Sequence, residues 1–83
     1  MIMKLGVYSL KKVLFQGEAE AINCKTASGE ITILDNHRPL ISILQPGTIK
    51  ITNSAKKEQY IPVASGVLEV KEDNEARMLV EES

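Results

Sequence analysis

The sequence has few of the side chains on which protein chemistry usually depends. Its 83 residues include one cysteine, one histidine and no tryptophan. Nucleophilic catalysis needs a base beside the nucleophile and a third group that orients the base, so any such set would have to be built around His37. Cys24, His37 and the scattered carboxylates show no metal-ligand spacing, and no glycine-rich phosphate-binding motif occurs. We therefore expect a non-enzymatic protein with no catalytic, cofactor-binding or metal-binding residues.

Charge and aromatic content argue against nucleic acid as a partner. The chain has 10 lysines and arginines against 11 aspartates and glutamates, which gives a net charge of −1. A chain without excess positive charge does not attract a polyanion. One phenylalanine and two tyrosines also cannot supply the aromatic surfaces on which unpaired bases stack. We expect no nucleic-acid partner.

The sequence also lacks long apolar runs and cysteine pairs. No apolar run approaches the ~18 residues that span a bilayer, and the first residues lack the apolar core of a secretion signal. A lone cysteine excludes an internal disulfide and suits a reducing compartment. Alternation over residues 21–25 places Cys24 on the face of Ile22, which predicts a small buried hydrophobic residue. We expect one soluble, cytosol-facing domain over residues 1–83.

The residues that are abundant are those that favour β-strands. Isoleucine, valine and threonine account for 19 of the 83 residues, and such β-branched side chains suit a pleated surface better than a helix. Glycine and proline divide the chain into short stretches in which apolar residues recur at every second position. This pattern indicates half-buried strands, which we predict near residues 3–8, 12–16, 19–26, 30–34, 39–44, 47–52, 58–63, 66–71 and 75–81. The spacing favours an all-β sandwich or flattened barrel.

Five apolar pairs define the predicted inward face: Leu5/Val7, Ile31/Ile33, Ile41/Ile43, Ile49/Ile51 and Ile61/Val63. We accordingly expect Ile33, Ile43 and Ile51 to point into the core. The tail is ambiguous, because residues 72–82 are rich in good helix formers and yet are short and follow a polar turn. The pattern alone leaves both a helix and a strand open there.

One polar segment stands out between two apolar strands. Residues 35–38, with the sequence DNHR, offer hydrogen-bond donors, acceptors and both signs of charge. The simplest interpretation is a hairpin whose tip is polar because it meets water. Tips held between rigid strands also often carry recognition residues.

These features, in this order, resemble a known family. The segments are FQG at 15–17, GEITIL at 29–34, NHRPLI at 36–41, LQPGTI at 44–49 and SGVLEV at 65–70. Together they resemble the N-terminal β-sandwich domain of the epsilon subunit of F-type ATP synthase, called delta in mitochondria, over essentially the whole chain. The resemblance implies a flattened ten-stranded sandwich in which the tail is the final strand.

The resemblance also implies a function. In the family this domain is a non-catalytic part of the rotating central stalk, where it binds the gamma subunit and rests on the membrane-embedded c-ring. It thereby couples proton- or sodium-driven rotation to ATP synthesis. We expect a monomer when isolated, on the cytoplasmic side of the bacterial cell membrane, associated with the membrane only through the complex. The alternative is a freestanding β-sandwich that kept this fold and binds another protein or a small ligand.

The resemblance assigns contact residues by position. Glu30 matches the family's acidic residue facing the c-ring, with Ser28 and Gly29 in the same turn. The positions that meet the gamma subunit in the family are Ser9, His37, Leu40 and Ser42. Family members usually continue into a two-helix C-terminal regulatory domain. The resemblance covers the β-sandwich domain, so inhibition by such helices is not carried over from the family to this sequence.

Overall fold

Eight β-strands make up the secondary structure of the chain, as described by a computed structural model of residues 2–83. No helix occurs among these residues, so the all-β prediction is confirmed. The residues of the tail form the last strand, as the resemblance implied, and not a helix. The strands are β1 (Met3–Tyr8), β2 (Val13–Ala19), β3 (Ala21–Thr26), β4 (Gly29–Leu34), β5 (Leu40–Leu44), β6 (Gly47–Thr52), β7 (Glu58–Lys71) and β8 (Glu75–Glu82).

The strands belong to one continuous sheet that folds into two layers. Its order is β2-β1-β8-β7-β5-β3-β4, and β6 pairs with β3 and β7. The first layer contains β2, β1, β8, the C-terminal half of β7 and β5. The second layer contains β4, β3, β6 and the N-terminal half of β7. Strands β1 and β8 run parallel, and the other pairs are antiparallel.

Strand β7 explains why the structure has eight strands where the alternating pattern predicted nine; the resemblance implied ten. The predicted stretches 58–63 and 66–71 are a single strand, because residues 64 and 65 bend the chain without ending its pairing. The register with β8 shifts between Val63 and Ser65. At Gly66 an added Cβ would lie 2.7 Å from the carbonyl oxygen of Leu79, so the two strands approach closely there. The bend carries β7 from one layer to the other.

The core lies between the two layers and is almost entirely aliphatic. It includes Ile33 and Ile51, which point inward as predicted. Four of the five predicted pairs have the predicted inward orientation, with Ile31 partly buried against the core. The buried apolar residues are Met3, Leu5, Val7, Ala19, Ile22, Cys24, Ile33, Leu44, Ile49, Ile51, Ile61, Val63, Leu68, Val70, Ala76, Met78 and Val80.

The prediction for β5 is wrong. Ile43 is 59% exposed and Ile41 is also exposed, whereas Leu44 is buried. Pairing with β7 sets this orientation, because Ser42 lies opposite the fully buried Leu68 and shares its face. Both faces of the strand carry large apolar side chains, so alternation alone could not identify the inward one.

The two isoleucines give a matched test of the register. Ile51→Ala removes a fully buried side chain and should lower the free energy of unfolding by roughly 2–5 kcal/mol. Ile43→Ala removes an exposed one and should change it by less than about 0.5 kcal/mol. Urea denaturation of both variants measures the difference. Equal losses would show that β5 faces the other way.

Burial also determines the chemistry of the single cysteine. Cys24 is 1% exposed, and burial raises the pKa of its thiol to about 11. The thiol therefore stays protonated at neutral pH, and it is the thiolate that acts as a nucleophile. Cys24 is a core residue, as the alternation predicted.

Cys24 should react with iodoacetamide only when the chain unfolds. At pH 8 the native chain should be alkylated at least tenfold more slowly than the same chain in concentrated urea, because reaction needs an accessible thiolate. Mass spectrometry of timed samples gives both rates. Native labelling as fast as in urea would contradict the burial of this side chain.

Candidate functional site

A tight turn between β3 and β4 presents three of the predicted site residues. Thr26 is buried, and its hydroxyl donates a hydrogen bond of 2.8 Å to the carbonyl of Gly29 while accepting one of 3.1 Å from the amide of Ser28. Gly29 has a φ of 118°, a conformation that favours glycine. The turn is thus fixed from inside, and Ser28, Gly29 and Glu30 are all exposed.

The β3–β4 turn is also fastened to the end of β5. The amide of Ala27 donates to the carbonyl of Ile43 at 2.9 Å, and the amide of Gln45 donates to the carbonyl of Lys25 at 2.9 Å. Glu30 lies opposite Lys25 in the register of β3 and β4. An exposed carboxylate at a rigid turn can accept charge-assisted hydrogen bonds from a basic partner.

Ser9 belongs to a second turn at the same end of the sandwich. Strands β1 and β5 run in the same direction, because β1 is parallel to β8 and both β8 and β5 are antiparallel to β7. Their C-terminal ends therefore lie together. The Ser9 hydroxyl accepts hydrogen bonds of 3.2 Å from the amides of Lys11 and Lys12, which closes the turn. We call this end, with turns 9–12 and 27–28, the tip end.

His37 lies at the opposite end, in the connection from β4 to β5. The two strands do not pair, since β4 pairs with β3 and β5 with β7, so the predicted hairpin at 35–38 is wrong. The segment instead crosses from the second layer to the first. The Nδ1–H of His37 donates to the carbonyl of Arg38 at 2.7 Å, which fixes the ring and leaves Nε2 as its other hydrogen-bonding atom.

The structure does not gather the four residues matched to gamma contacts into one cluster. Ser9 is at the tip end and His37 is at the other end. Leu40 and Ser42 lie between these ends on the inward face of β5, and both are half-buried. Strand β5 is an edge of the first layer, and His37, Leu40 and Ser42 follow that edge. Ser9 follows β1, which β8 and β7 separate from β5.

Sequence reasoning missed a row of exposed apolar side chains on the outer face of the first layer. The paired positions are Val13–Tyr8, Tyr8–Leu79, Leu79–Val67 and Val67–Ile43, which cross five strands. We call these five residues the apolar row. Leu79 is 52% exposed, and Val13, Val67 and Ile43 are exposed as well. The signal was present in β5 and β7, where apolar residues occupy both alternating faces.

Charged residues border the apolar row on the same face. Arg77 and Glu69, which pair with each other, lie next to the row. Beyond them Lys4 pairs with Glu75, and the Lys71 ammonium lies 3.7 Å from the Glu75 carboxylate. An exposed apolar strip with a charged border is typical of a surface that binds a protein.

Among residues 2–83, no group of three His, Cys, Asp or Glu side chains is placed to hold a metal ion. In the same residues, no helix is long and apolar enough to cross a membrane.

Comparisons with known proteins agree on one family. Residues 2–82 match the family model described as ATP synthase, Delta/Epsilon chain, beta-sandwich domain. The ATP synthase epsilon chain of Bordetella avium is 42% identical over 69 residues, covering 83% of this chain and 49% of the relative. This chain thus spans about half the length of the curated relatives it matches.

Solved structures share the fold. A chain of the Euglena gracilis mitochondrial ATP synthase superposes with a TM-score of 0.92 at 20% identity, covering 98% of this chain and 51% of that one. A chain of the Tetrahymena thermophila mitochondrial ATP synthase central stalk and c-ring gives 0.80 at 19% identity, covering 96% and 63%. With the family match across nearly every residue, the two-layer sheet and its turns are those of the ATP synthase delta/epsilon beta-sandwich domain, and this chain belongs to that family.

Proposed function

We propose that this chain acts as a non-catalytic subunit of the rotating central stalk of an F-type ATP synthase. In this function it binds the gamma subunit and the c-ring, and so couples ion-driven rotation to ATP synthesis. The observation that carries the proposal is the division of its surface into an apolar row on one face and an exposed acidic turn at one end. Two such surfaces suit a protein held between two different partners.

The apolar row and the neighbouring edge of β5 form the proposed gamma-facing surface. The row supplies the apolar centre that protein interfaces bury, and the charged border supplies the rim. His37, Leu40 and Ser42 follow the β5 edge of the same layer, and Ser9 follows β1 at the tip end; at these places they would contact the margin of the partner. This surface crosses five strands and extends from Ser9 at one end to His37 at the other, which suits a folded partner better than a single extended segment.

The β3–β4 turn of the tip end is the proposed c-ring surface. Ser28, Gly29 and Glu30 project from a turn that Thr26 holds in one conformation. A fixed carboxylate loses little conformational freedom when it pairs with a basic loop, and partial desolvation strengthens the pair. Contact with the ring would hold the chain at the cytoplasmic side of the bacterial membrane through the complex alone.

Reversing the charge of Glu30 tests the ring contact. Glu30→Lys should weaken attachment to the c-ring by about tenfold or more, because a favourable charge pair becomes a repulsive one. The melting temperature and gamma affinity should stay nearly unchanged, since the side chain is exposed. Glu72→Lys is the matched control, with the same charge change in the exposed turn at the other end. Unchanged ring binding in Glu30→Lys would overturn the assignment.

A polar substitution in the apolar row tests the gamma contact. Leu79→Gln should weaken gamma binding at least tenfold, as expected of an apolar residue at the centre of an interface. Leu34→Gln is the control, because Leu34 is 56% exposed but faces outward from the second layer. Sedimentation should find a monomer for the chain alone and a 1:1 complex with the gamma subunit. Equal effects of the two variants, or a stable dimer of the chain, would contradict the proposal.

A further inference from the structure

One asparagine side chain ties the segment before His37 to a distant hairpin. Asn74, in the turn between β7 and β8, accepts a hydrogen bond of 2.8 Å from the amide of Asn36 through Oδ1. Its Nδ2 donates to the carboxylate of Asp35. The carbonyl of Asn74 also accepts a 3.0 Å bond from the amide of Lys4, at the start of β1. We call the two side-chain bonds of Asn74 the strap.

The strap joins residues far apart in sequence and in different layers. Asn36 and Asn74 are separated by 38 positions. Both have left-handed backbones, with φ of 62° and 56°, a conformation that asparagine tolerates better than most residues. The hydrogen bonds of His37 itself go to Leu34 and Arg38 within its own segment. The strap therefore reaches this segment from outside and acts on the two residues that immediately precede His37.

We propose that Asn74 is a positioning residue that holds the β4–β5 connection in the conformation that presents His37 to the gamma subunit. This inference rests on the proposed function. The segment crosses between layers without pairing to a neighbouring strand. A connection left to adopt several conformations must be ordered on binding, which lowers affinity without removing any contact. Asn74 supplies that order in advance from outside the contact surface.

The chemistry of the strap explains the choice of residue. An amide provides one donor and one acceptor on the same planar group, and the strap uses both, on Asp35 and on the amide of Asn36. Aspartate has nearly the same shape and keeps the acceptor, but it replaces the donor with a charged oxygen that faces the Asp35 carboxylate. Asn74→Asp should therefore break the strap with little change in volume.

Exchanging the two side chains restores the complementarity. In the double variant Asp35→Asn with Asn74→Asp, the amide at position 35 donates to the carboxylate at position 74. Asp35→Asn alone keeps an oxygen that can accept from Asn74, so it serves as the matched control. A residue that matters only through its size, or through the hairpin it occupies, would not be rescued by this exchange.

The test combines a local readout with a binding measurement on the 83-residue chain. In Asn74→Asp, hydrogen exchange at the Asn36 amide should quicken at least tenfold, and the ring signals of His37, the only histidine, should shift in NMR spectra. Affinity for the gamma subunit should fall about tenfold, as expected when one or two residues must be ordered on binding. Both effects should be small in Asp35→Asn and largely reversed in the double variant.

The outcomes separate the inference from the proposed function. Unchanged exchange at Asn36 in Asn74→Asp would overturn the strap. Faster exchange with unchanged gamma affinity would overturn the positioning function, and failure of the double variant to recover would do the same. If the chain without substitutions does not bind the gamma subunit, the proposed function is overturned. The inference is then overturned with it, even where hydrogen exchange changes as expected. Asn74→Gly, which keeps the left-handed turn but removes the strap, should repeat the exchange result if Asn74→Asp proves unstable.

Discussion

The continuity of strand β7 is the constraint on which both layers of the sandwich depend. Its 14 residues pair with β6 in the second layer and with β5 and β8 in the first. A chain that pairs without interruption through a bend fixes the registers on both sides of the bend together. The close approach at Gly66 and the shifted register near Ser65 permit that bend. The two layers are therefore positioned by one strand and not by loops.

The register set by β7 also determines which apolar residues remain at the surface. Val67 is paired with Ile43 on one side and with Leu79 on the other, and all three point away from the core. Shifting either partner by one residue would place these side chains inside and would expose Leu44 or Met78 instead. The apolar row is thus exposed because the same register buries the alternate residues of these strands, including Leu44 and Met78. Because these exposed apolar side chains are aligned across neighbouring strands, they form a contiguous patch of the kind that binds another protein.

The strand positions and most of the core could be predicted from the sequence, because one alternating pattern encodes both in half-buried strands. The prediction failed for Ile43, where apolar residues on both faces of β5 removed the contrast on which the pattern depends. It also failed for residues 35–38, because local composition marks a polar connection but does not reveal which strands it joins. Ser28 lies in the β3–β4 turn and Gly29 and Glu30 begin β4 beside it. Their closeness was expected, since a turn is a local feature.

The arrangement of the four residues matched to gamma contacts was harder to predict, because it depends on pairings between distant strands. Alternation places Leu40 and Ser42 on one face, but it cannot show that Ser9 and His37 lie at opposite ends of the sandwich. The apolar row has the same origin, since its members come from five strands and are neighbours only through the sheet. The resemblance to a family identified these four residues, and only the strand order showed how far apart they lie.

The two ends of the molecule use the same physical device. At the tip end, the buried hydroxyl of Thr26 orders the turn that carries Glu30. At the other end, the amide of Asn74 orders the segment that carries His37. In each case one polar side chain that is not proposed to touch a partner fixes a segment that is. In the proposed function, this arrangement would keep both contact segments ordered while the closely packed core between them stays rigid.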